Sequence, residues 1–111
     1  MTEQLSVAEE QAFQLSQAAI LLDQARQDTS DQGKLAHALE NNLEVWVAIN
    51  TIAKSADCML PAAAKDNLRR LAEFVADRTL KGAGEVPSNT LDTLININLQ
   101  ISEGLLEGAK A

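Results

Sequence analysis

Apolar residues recur along this chain at intervals of three and four, the spacing that lines one side of an α-helix, in four blocks divided by polar, glycine- or proline-bearing segments. In the first block Ala8, Ala12, Leu15, Ala18, Ala19, Leu22 and Ala25 keep the helical period, while Phe13, Ile20 and Leu21 widen the stripe towards a second neighbour. Ser6-Val7-Ala8-Glu9 matches a capping box, in which the hydroxyl accepts from a free backbone N–H and the glutamate reaches back. A helix is expected over residues 6–26. The polar run from Gln27 to Gly33 supplies turn chemistry and several candidate N-caps. Beyond it Leu35, Ala38, Leu39, Val45, Trp46, Ile49, Ile52 and Ala53 mark the clearest amphipathic helix, expected over 30–56.

A third helix, over 61–81, begins at Leu60-Pro61, because proline at a first helical position loses no helical hydrogen bond. Ala64, Leu68, Leu71, Phe74 and Val75 form its stripe, and Gly82-Ala83-Gly84 stops it. The fourth, over 88–108, opens around Val86-Pro87-Ser88-Asn89 and carries Leu91, Leu94, Ile95, Ile97, Ile101, Leu105 and Leu106, more than one stripe needs. No strand-like alternation is long enough to compete. The expectation is an all-α fold, a compact bundle of about four helices in one domain.

Three of the stripes contain an asparagine: Asn42 between Leu39 and Val45, Asn67 between Ala64 and Leu71, and Asn98 between Leu94 and Ile101. A buried carboxamide without partners costs about 1–3 kcal/mol, so an inward-facing one must find hydrogen bonds. Two readings are open. Either Asn42, Asn67 and Asn98 form a structural polar core that fixes helix register, or each sits at a stripe edge in contact with solvent.

Composition narrows the function. The 111 residues suffice for one core. The net charge of -7 opposes nucleic acid and anionic membranes, which both need Lys and Arg. No segment approaches the roughly 20 apolar residues that cross a bilayer, and the N-terminus lacks the basic and apolar regions of a secretory signal. Cys58, the single cysteine, permits no internal disulfide and reads as a small apolar residue at a helix junction; the expected location is the cytoplasm.

Catalytic chemistry is not legible. His37 is the only histidine and stands in no sequence relation to Cys58 or any serine, so neither a nucleophile-base pair nor a metal site is indicated. Glu40 and Glu44, one turn apart, read as a solvated face, and Gly82-Ala83-Gly84 lacks the strand and lysine of a phosphate loop. Lys65, Arg69 and Arg70, with Arg78 further along, read as a surface of local ion pairs, with an acidic patch of a partner as the other reading. The expectation is a protein that is not an enzyme and needs no cofactor.

Residues 35 to 105 resemble a known family through three segments. They are Leu35-x-x-Ala38-Leu39-x-x-Asn42-x-x-Val45-Trp46; then Leu60-Pro61 followed by Asn67, Leu71, Phe74-Val75 and Thr79; then Leu91-Asp92-x-Leu94-Ile95-x-Ile97-Asn98-x-x-Ile101-x-x-Gly104-Leu105. The last is the longest ordered run and the most specific. Together they are similar to the pattern of the flagellar biosynthesis regulator FlaF family. That resemblance implies a role in flagellin synthesis or secretion, alongside the regulator FlbT, by contact with flagellin as a chaperone-like factor.

The apolar excess supplies candidate contact residues: Ile95, Leu99 and Leu106 on the fourth helix, with Phe13, Ile20 and Leu21 on the first. Each alone reads as core; as a group they exceed what four stripes require. Trp46 is a further candidate as an aromatic anchor, though its central place in the stripe reads as core. Two other classes stay open. An RNA-binding translational regulator would explain control of flagellin but is opposed by the charge, and a self-associating helical adaptor would pair the broad stripes across a two-fold axis.

Overall fold

Capping groups set the helix bounds. The structure, a computed structural model, describes residues 7–28, 30–55, 60–81 and 88–110. It forms α1 (Val7–Gln27), α2 (Gln32–Lys54), α3 (Ala62–Lys81) and α4 (Ser88–Lys110). Asp31 is extended at φ -103°, ψ 91°, and its carboxylate accepts from the Lys34 N–H at 3.0 Å. This cap starts α2 two residues later than the polar run alone indicated, since 30 was the expected start and Gln32 is observed. Ser55, extended at φ -69°, ψ 141°, ends it, donating its N–H to the Ile52 carbonyl. Before α3, the Lys65 N–H donates to the Pro61 carbonyl at 3.0 Å, so Pro61 stands just outside the helix and not at its first position. The Ser6 capping box, Cys58 and the Gly82-Ala83-Gly84 stop lie outside the described residues.

The fold is all-α, a bundle in which α1 lies between α4 and α2, and α3 packs on the far side of α2. Its extents are 42 × 32 × 17 Å, so the bundle is flattened. Helices α1 and α4 are antiparallel: Arg26 meets Asp92, Leu15 meets Asn98, and Ala12 meets Ser102. The central place of α1 follows from its sequence. Four of its six buried apolar residues, Ala12, Ala18, Ala19 and Ala25, are alanine, beside Leu15 and Leu22. Small side chains let neighbours approach the helix backbone, and α4 uses that approach to hydrogen-bond two α1 carbonyls.

The rest of the core comes from Ala38, Leu39, Val45, Trp46, Ile49 and Ala53 of α2, Leu68, Ala72 and Val75 of α3, and Leu91, Leu94, Ile95 and Leu105 of α4. Trp46 is fully buried. On α3 two of the basic residues are engaged locally: Arg70 pairs with Asp66 at 3.1 Å, and the Arg78 guanidinium lies 5.1 Å from the centre of the Phe74 ring. Among the described residues, no helix is long and apolar enough to cross a membrane.

Candidate functional site

Two polar arrangements tie the helices together and thereby fix what is left on the surface. The first centres on Asn98. Its Nδ2 donates to Asn42 Oδ1 at 2.7 Å and to the Leu15 carbonyl at 3.3 Å, while Trp46 Nε1 donates to Asn98 Oδ1 at 2.9 Å. One carboxamide therefore joins α1, α2 and α4 in the buried centre. The Leu15 carbonyl accepts this bond on the lone pair that the helix leaves free. Asn42 and Asn98 are fully buried, and Asn42 Nδ2 has no hydrogen-bond partner among the described residues.

Asn67 is a correction. It is exposed, because α3 has one main neighbour and buries only the narrow stripe of Leu68, Ala72 and Val75. Asn67 is set about 100° from Leu68 around the helix, and that places it outside the stripe.

The second arrangement pairs two hydroxyls across α1 and α4. Ser102 Oγ donates to the Ala12 carbonyl at 2.9 Å and lies 2.9 Å from Ser16 Oγ. Since the Ser102 proton is spent on the carbonyl, Ser16 is the donor within the pair. Neither serine stood out in the sequence; the available signal was that Ser102 falls one turn after Asn98 inside the α4 stripe.

Around this bond stand four exposed apolar side chains. Phe13 and Ile20 lie three residues before and four after Ser16; Leu99 and Leu106 lie three before and four after Ser102. In an antiparallel pair these offsets put Phe13 beside the Leu106 end and Ile20 beside the Leu99 end. Their exposures are 54% for Phe13, 49% for Ile20, 48% for Leu99 and 40% for Leu106, so the pair presents one apolar face and not scattered single residues.

The other two candidates from the sequence do not join this face. Ile95 is buried within the core, and Leu21 is partly buried against it. Val47 and Leu80, which the sequence reading did not single out, are exposed on α2 and α3. At the end of the pair remote from Leu106, Arg26 bridges Asp23 of its own helix and Asp92 of α4. The Asp92 hydrogen bond is the main cause holding the Arg26 pKa above its usual value.

The model of the family described as flagellar protein FlaF matches residues 2–105. This chain belongs to the FlaF family. It is thus a protein of the flagellar system. No curated protein and no solved structure matches it. The resemblance read from the sequence began at residue 35, whereas the FlaF match also takes in α1. That extension matters for the site, because α1 contributes Phe13, Ile20 and the two carbonyls that α4 grips.

Proposed function

We propose that this FlaF family member is a non-enzymatic, cytoplasmic, chaperone-like factor that controls flagellin synthesis or secretion by binding flagellin through the α1/α4 face. The observation that carries the reading is the group of Phe13, Ile20, Leu99 and Leu106, all exposed around the Ser16 to Ser102 bond. An isolated exposed leucine needs no explanation, but a cluster of four on two packed helices offers an amphipathic helix an apolar seat. Flagellin subunits awaiting export must keep their assembly helices from pairing early, and a reversible cover of this kind meets that need.

The Ser16 to Ser102 and Asn98 bonds serve the face indirectly by locking α4 onto α1, so that the four side chains keep their spacing before a partner arrives. The net charge of -7 opposes the RNA-binding alternative. Titration calorimetry against monomeric flagellin from the same organism tests the proposal. Saturable binding is expected; absence of heat at roughly tens of micromolar protein would shift attention to FlbT as the direct partner.

A further inference from the structure

A second surface lies on the other side of α1. Helices α1 and α2 leave an open groove of about 320 Å³ between them, floored by Val45, Ile49 and Ile52 with Ala48 beside them. Each wall carries one carboxylate, Glu10 from α1 and Glu44 from α2, and among the described residues no Lys or Arg lines the groove. Both glutamates are exposed, and neither has an ion-pair partner among the described residues.

We infer that this groove docks a basic amphipathic segment of a second protein, with an apolar side chain seated on Val45, Ile49 and Ile52 and a Lys or Arg within one turn of it reaching Glu10 or Glu44. The charge pattern selects this occupant. An acidic segment would meet two unpaired carboxylates on a molecule of charge -7, and an uncharged one would strip water from them without replacement. A second copy of this chain carries the same excess of negative charge. The apolar floor supplies affinity, while the two rim carboxylates supply selectivity and a faster encounter. Glu10 faces the α2 side of α1 whereas Phe13 and Ile20 turn towards α4, so the groove and the flagellin face can be filled at once.

The test uses a synthetic amphipathic helical peptide with a leucine stripe flanked by lysines, and a twin with glutamate in place of each lysine, titrated by fluorescence anisotropy at physiological ionic strength. The lysine peptide is expected to bind, and to shift backbone amide signals of the groove residues in nuclear magnetic resonance. The double change Glu10→Lys and Glu44→Lys should weaken it about tenfold. The control pair Glu73→Lys and Glu103→Lys, with the same change in net charge but placed on α3 and α4, should weaken it less than about twofold. Four results would overturn the inference: no binding, equal binding of the glutamate twin, equal weakening by the control pair, or amide shifts centred on Phe13 and Leu99.

Discussion

At the residue scale the asparagines separate what a sequence can say from what it cannot. All three sit within apolar stripes, yet a shift of one position turns a helical side chain by about 100°, enough to carry Asn67 to solvent while Asn42 and Asn98 meet in the core. The stripe was legible; its phase was not, because phase depends on which neighbours each helix has. The network also predicts unequal costs. Asn98→Leu deprives Trp46 Nε1 and Asn42 of their partners and should cost about 2–4 kcal/mol. Asn42→Leu removes an already unpartnered Nδ2 and leaves Asn98 its bonds to Leu15 and Trp46, for a cost of about 1 kcal/mol. Asn67→Leu should stay within roughly 0.5 kcal/mol of the parent. Urea unfolding of the three variants checks the order, and equal costs would remove the Asn98-centred network from the account.

At the scale of elements, the contact between α1 and α4 depends on small groups. Ser102→Ala loses the bonds to the Ala12 carbonyl and Ser16 for about 1 kcal/mol. Ser102→Leu should cost more, about 1–3 kcal/mol, because the extra bulk forces apart two helices that meet through alanine and serine. Thermal unfolding distinguishes them, and a leucine variant as stable as the alanine one would show that the approach is looser than drawn. Arg26→Ala, which removes the bridge to Asp23 and Asp92, should lower the midpoint in dilute buffer and have little effect in concentrated salt. The helices themselves were readable from the apolar period. What escaped was the serine pair, since the place of Ser102 inside the α4 stripe marks it as facing inward but does not say that its hydroxyl will reach another helix.

The whole molecule is uneven in its support. Helix α3 rests mainly on α2, whereas α1 is held on both sides and through the Asn98 and Ser102 bonds. Native-state hydrogen exchange should therefore find α3 amides opening at lower free energy than those of α1; the reverse order would contradict the packing described. Composition and period pointed to an apolar excess on the first and fourth helices. Only the packing shows that Ile95 is spent on the core while Leu99 and Leu106 remain outside with Phe13 and Ile20.

A calorimetric comparison of two double variants titrated with monomeric flagellin tests that division. Leu99→Ser with Leu106→Ser removes half of the α1/α4 face; Val47→Ser with Leu80→Ser removes still more exposed apolar groups elsewhere. With circular dichroism confirming both folds, the first pair should weaken flagellin binding at least about tenfold and the second should leave it within about twofold. Equal loss in both, or undiminished binding by the first, would contradict the assignment of this face to flagellin.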